Sequence, residues 1–265
     1  MKRILLAVIF TLFTTHIFAH DTGISFEPPE LTAEVASRYA IYSMAASNSY
    51  HKKDRVKFAI EKLGWIQVDT DGKPTDIPTI KRKSGLAYDI FEKQNSNEVI
   101  FAFRGTDSKK DYLDANLAVW PFSIQFTQAK KAFKEYVNSH PNKKIIVTGH
   151  SLGGGLALSM SVRYGVDAVV FDTSPRIFDG LGDKHLPATR ILIYEGGEIL
   201  TVARKLWKKK FSKAVSRENI YKASFDFGGE NKHRSDHLAL GLLKLGATVD
   251  TTLEPVRDAL LNIPN

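Results

Sequence analysis

GHSLGGG, residues 149–155, closes the apolar run KKIIVT and opens a stretch of small and apolar residues, LGGGLALSMSVRYG. Its letters satisfy G-x-S-x-G, the strand-to-helix elbow that lifts a serine out of the backbone for nucleophilic attack. Alone the pattern is weak, because a glycine-rich corner without chemistry reads the same way. Its weight comes from context: KKIIVTG at 143–149 reads as a buried strand, and 152–165 reads as a small-residue helix ending at Gly165. A serine at such an elbow sits in strained backbone, so its neighbours must lack side chains that would strike the strand or helix. Gly149 and Gly153 meet that demand, while Gly154 and Gly155 let the helix lie close to the sheet.

Outward from the elbow the periodicity changes repeatedly. TAEVASRYAIYSMAAS, beginning at a Thr32 cap, repeats apolar residues every three to four positions and predicts an amphipathic helix, with a second near 54–63. The polar stretch DTDGKPTDIPTIKRKSG, 69–85, reads as a loop. GLAYDIFEK and EVIFAFRG, joined by QNSN, predict a hairpin whose second strand is central. QAKKAFKEYVNSH is helical, and DAVVFD and TRILIY are two more strands. Strands alternating with helices imply an α/β fold, a mostly parallel sheet with helices on both faces, in a single domain over 20–265.

A second motif lies upstream. VIFAFRGTDS, 99–108, ends the predicted central strand in Arg104-Gly105-Thr106, and together with TGHSLGGGLA it resembles the class 3 (fungal-type) lipases of the α/β-hydrolase superfamily. The resemblance runs from about Ala87 to His233. It implies an oxyanion hole formed by Thr106 and the backbone N–H of Leu152, and a role for Arg104 at the strand end without a catalytic step. A preorganised donor of that kind is typically worth about 3 kcal/mol to the transition state of ester cleavage.

A nucleophilic Ser151 needs a base, and the base an orienting acid, in the chain order Ser, Asp or Glu, His for this fold. Of eight histidines, His16, His20 and His51 precede the elbow, His140 ends a helix, and His150 adjoins the serine with its side chain expected to point away. His185 comes too early, before TRILIY, which leaves His233 and His237 in KHRSDHLALGLLKLG. The family places its histidine a few residues before a leucine-alanine helix, so the resemblance selects His233, with His237 on the helix face as the rival. RILIYEGGEIL resembles the family's strand and acid-bearing turn, which points to Glu198 in place of the commoner aspartate. Asp172 and Glu195 remain rivals. SPR, 174–176, matches the family's Pro-Arg turn.

Composition bounds the rest. The 265 residues are 43% hydrophobic and 25% charged, which places the chain among globular proteins. MKRILLAVIFTLFTTHIFA has two cations followed by an apolar run too short to span a bilayer, and predicts a signal peptide over 1–19 cut after Ala19, hence a secreted or periplasmic protein. There is no cysteine, so stability rests on packing, and thiolate chemistry and zinc-thiolate sites are excluded. Net charge is +8, two less without Lys2 and Arg3, too modest to imply nucleic acid. Residues 107–126 carry Leu117, Val119, Trp120, Phe122, Ile124 and Phe126 where fungal relatives carry a lid; they pack on the sheet or open for an acyl chain. VARKLWKKKFSKAVSR, 202–217, combines an apolar helical face with seven cations and reads as a solvated helix or as contact with an anionic membrane surface. The expected activity is hydrolysis of lipid carboxylic esters, lipase or phospholipase, through an acyl-enzyme, with no cofactor or metal implied. A silent lipid-surface binder and a carboxylesterase for small soluble esters are the alternatives.

Overall fold

A computed structural model describes residues 27–81, 84–105, 120–175, 186–201, 204, 213–228 and 231–261. The predicted signal peptide, Thr106, most of the lid stretch and residues 205–212 of the basic stretch therefore lie outside the described residues. The strands are β1 (Trp65–Val68), β2 (Ile80–Lys81), β3 (Ala87–Lys93), β4 (Glu98–Phe103), β5 (Lys144–His150), β6 (Asp167–Phe171), β7 (Arg190–Glu195) and β8 (Ile220–Ala223). The helices are α1 (Ala33–Asn48), α2 (Trp120–Ser139), α3 (Leu152–Tyr164), α4 (Ser235–Gly246) and α5 (Glu254–Leu261).

One sheet runs β1-β3-β4-β5-β6-β7-β8, with β2 paired to β3 off this path. From β4 to β8 every pairing is parallel, whereas β1, β2 and β4 meet β3 antiparallel. Because β4 to β6 follow one another in sequence, right-handed crossovers send α2 and α3 to the same face. There Phe101, Phe103 and Val147 of the sheet pack with Phe133 of α2 and Leu156 of α3. The other face would be bare, and α1 and α4, which lie outside those crossovers, cover it: Ala40, Met44, Leu238 and Leu242 pack on Ile100, Phe171 and Ile193. Neighbouring residues of β4 thus enter opposite cores, and the strand is apolar throughout because both its faces are buried.

Thr32 caps α1 as expected, its hydroxyl accepting from the Val35 amide at 3.3 Å. The hairpin, the strand before the elbow and the two strands after it also form. Three departures have physical causes. The predicted helix at 54–63 is only a 3-10 turn at Ile60–Leu63, because side chains take the backbone groups that a helix would use. Asn48 bonds both the amide and the carbonyl of Phe58, and Asp236 accepts from the Val56 amide at 3.2 Å. The stretch 69–85, expected to be loop, contains β2, and β1 forms just ahead of it where no strand was expected, both by pairing with β3. Finally, TRILIY is not the last strand, since β8 continues the parallel set beyond it.

Candidate active site

The site begins with the backbone of Ser151. It holds φ 58° and ψ −126°, a conformation that residues with a Cβ rarely adopt. The turn is pinned to the next strand on both sides: the Ser151 amide donates to Phe171 O, and its carbonyl accepts from the Ser174 amide, both at 3.0 Å. The surrounding glycines are required by space. A Cβ on Gly149 would lie 2.4 Å from the Gly153 backbone, and one on Gly153 would lie 2.2 Å from Phe103 O. A Cβ on Gly105 would lie 2.6 Å from His150 O and 3.2 Å from the Ser151 Cβ. The Arg104-Gly105 turn therefore lies directly against the serine, although Thr106 itself is outside the described residues. Leu152 opens α3, where the first amides have no intrahelical carbonyl to bond.

His233 lies in the turn that leads into α4, its amide held by Asn231 Oδ1 at 3.0 Å. Its Nδ1 is 2.8 Å from Glu198 Oε2. The ring stands 4.7 Å from that of His150, the residue immediately before Ser151. Glu198 is fully buried in the short turn after β7, and its Oε2 also accepts from the Leu200 amide at 2.8 Å. Burial would raise this carboxyl, but the His233 hydrogen bond and the Arg204 guanidinium outweigh it and hold it below the usual carboxylate range. The rivals make other contacts, although Asp172 Oδ2 also lies 3.4 Å from His150 Nε2. Asp172 accepts from the Glu195 amide at 2.8 Å through Oδ1, Glu195 accepts from the Phe225 amide at 3.1 Å, and His237 stacks near Phe227 at 5.1 Å.

Sequence reasoning missed three residues here. Arg204, counted above among the outward cations of 202–217, is buried and bonds Glu198 Oε1 and, at 3.1 Å, Thr173 O. His150, expected only to point away from the serine, is buried with its ring 4.7 Å from that of His233 and its Nδ1 3.2 Å from Tyr50 Oη. Tyr50 in turn carries the Arg55 guanidinium over its ring at 4.1 Å. Burial, reinforced by His233 and Arg55, drives the His150 pKa well down, so its imidazole is neutral. Burial, with Glu198 adding to it, raises the carboxyl of Asp172. Of the lid stretch, Phe126 is core and Ile124 is exposed.

A serine elbow on a central parallel strand, with a buried imidazole–carboxylate pair beyond the strand ends, is the arrangement of the α/β-hydrolases. Residues 42–192 match the Tle-like phospholipase domain, and the chain belongs to that family. It is 29% identical over 98 residues to an extracellular phospholipase A1 of Serratia liquefaciens, covering 37% of this chain and 30% of that protein. With a lipase of Rhizomucor miehei it shares 27% identity over 149 residues, 48% of this chain and 39% of that one. The matches thus span 30% and 39% of these relatives' lengths. Among solved structures, lipase II from Rhizopus niveus superposes with a TM-score of 0.47 at 16% identity, over 68% of this chain and 79% of that one.

Proposed function

We propose that this chain is a serine hydrolase that cleaves the carboxylic esters of phospholipids through an acyl-enzyme. The observation that carries this reading is the strained Ser151 together with a His233 that is hydrogen-bonded to a buried Glu198 at 2.8 Å and whose ring lies 4.7 Å from that of His150, the residue before the serine. A fold has no structural use for that combination, whereas acyl transfer needs it. The phospholipid substrate rests on the family and on the activity named for the Serratia relative.

In this mechanism Ser151 Oγ attacks the acyl carbonyl while His233 takes its proton. Glu198 orients the ring and offsets the imidazolium charge, and Arg204 keeps Glu198 ionised. The developing oxyanion is met by the Leu152 N–H and by Thr106. His233 then protonates the departing alcohol and afterwards draws a proton from the water that frees the fatty acid. The chain is exported, with residues 1–19 as its leader. With Arg204 turned inward, contact with an anionic membrane surface falls to the remaining cations of 202–217, six in number.

The test is a panel of phospholipid vesicles, triglyceride emulsions and soluble short-chain esters, run with wild type and Ser151→Ala. The expected result is release of fatty acid and lysophospholipid from the vesicles by wild type only. Turnover confined to soluble esters, cleavage on the phosphate side, or equal rates with Ser151→Ala would overturn the proposal.

A further inference from the structure

Two buried polar atoms beside the site take part in no hydrogen bond: His150 Nε2 and Asp172 Oδ2. They face each other at 3.4 Å, with side chains only 3% and 0% exposed. An unsatisfied buried polar atom costs about 1–3 kcal/mol, so two that face each other without a hydrogen bond would gain from a shared partner. Together with His233 they form a set of three donor atoms, all within 4.8 Å of one another.

Donor type, backing and the one short separation agree on what fits. A tetrahedral zinc with bonds near 2.0–2.1 Å keeps its nitrogen and oxygen ligands about 3.3 Å apart, and the His150–Asp172 separation already matches. Two imidazoles and one carboxylate suit zinc and its transition-metal neighbours rather than magnesium or calcium, which take oxygen ligands. Both rings are also held at their other nitrogen, His150 Nδ1 by Tyr50 and His233 Nδ1 by Glu198. Such outer contacts are what orient histidines as metal ligands.

We propose that His150, Asp172 and His233 form an inhibitory site for a divalent transition metal, zinc foremost. Binding takes the imidazole of His233 out of proton transfer, so the metal-loaded protein is inactive and a chelator restores it. The inhibition rests on the reading of His233 as the base; the binding does not.

The experiment uses the full, untagged, chelator-treated protein and zinc chloride alone. Calorimetry measures zinc binding directly, and cobalt substitution reports tetrahedral coordination through its visible absorption. Wild type is expected to bind one zinc and to lose ester hydrolysis in step with occupancy, with recovery on adding chelator. Asp172→Asn, whose Oδ1 can still accept from Glu195, and His150→Gln should each weaken zinc binding at least tenfold, with circular dichroism checking that each variant folds. If neither variant changes affinity, if no site of unit stoichiometry exists, or if zinc binds while hydrolysis persists, the proposal is overturned. A protein that binds zinc as described yet never hydrolyses an ester would leave the metal site standing and sink the proposed activity instead.

Discussion

Ser151 joins a reactive hydroxyl to a backbone that few L residues tolerate, with φ at 58°. Strain of this kind costs of order 1–3 kcal/mol. Ser151→Ala keeps the strain and Ser151→Gly releases it, less the 0.5–1 kcal/mol or so that glycine adds in chain entropy. Both variants are expected to be inactive, with the glycine variant melting about 2–4 °C above the alanine variant; a glycine variant melting below the alanine variant would contradict stored strain at the elbow. The Glu198–Arg204 pair makes a second prediction. The depressed Glu198 carboxyl contributes stability that is present above the usual carboxylate range and lost as pH falls through its lowered value. Arg204→Met should therefore cost about 3 kcal/mol at pH 7 and little near pH 3, read by denaturant titration, and should move the acid limb of the activity profile upward. The His233–Glu198 pairing was legible in the sequence because chain order and the resemblance leave few candidates. Arg204 was not, since nothing in a run of seven cations says which one turns inward to meet a carboxylate.

The elbow works as an element because two backbones touch where side chains would normally stand. A Cβ on Gly153 would meet Phe103 O at 2.2 Å and the Arg104 carbonyl carbon at 2.8 Å, backbone that cannot step aside. Gly153→Ala should consequently destabilise the fold by at least 2 kcal/mol and displace the Arg104-Gly105 turn, so activity should fall further than stability; a stable and active variant would contradict this packing. The elements flanking the elbow were readable because β4, β5, β6 and β7 are buried on both faces and announce themselves as apolar runs. β1 and β8 were not, being four residues each, WIQV and IYKA, too short for a period to emerge. Pairing with β3 and β7 creates them. The segment 54–63 shows the converse: its helical spacing is real, but Asn48 and Asp236 hold its backbone in another course.

At the scale of the whole molecule, the buried carboxylates near the strand ends make stability depend on pH. Burial lifts Glu195 to about 7, so its ionised form is disfavoured in the fold. The penalty is absent below the unfolded carboxylate range, accumulates as pH rises from that range to about 7, and reaches roughly 3 kcal/mol above it. Glu195→Gln should melt higher than wild type at pH 8.5 and nearly the same at pH 4; an equal gain at both would point to packing. The charge of the basic stretch makes a separate prediction. Changing Lys208, Lys209 and Lys210 together to Gln should abolish any preference for anionic over neutral vesicles at low salt, at about 1 kcal/mol per cation near the surface, and spare turnover of a soluble ester. In wild type the preference should fade toward 1 M salt, where the Debye length is about 3 Å. Among the described residues no helix is long and apolar enough to cross a membrane.

The most direct test of the account is covalent. A fluorophosphonate reacts with a serine only where a neighbouring base has activated it, and peptide mass spectrometry locates the adduct. The account predicts one adduct, on Ser151, absent in Ser151→Ala and formed at least a hundredfold more slowly in His233→Ala. An adduct on another serine, or labelling of Ser151 at an unchanged rate without His233, would contradict it.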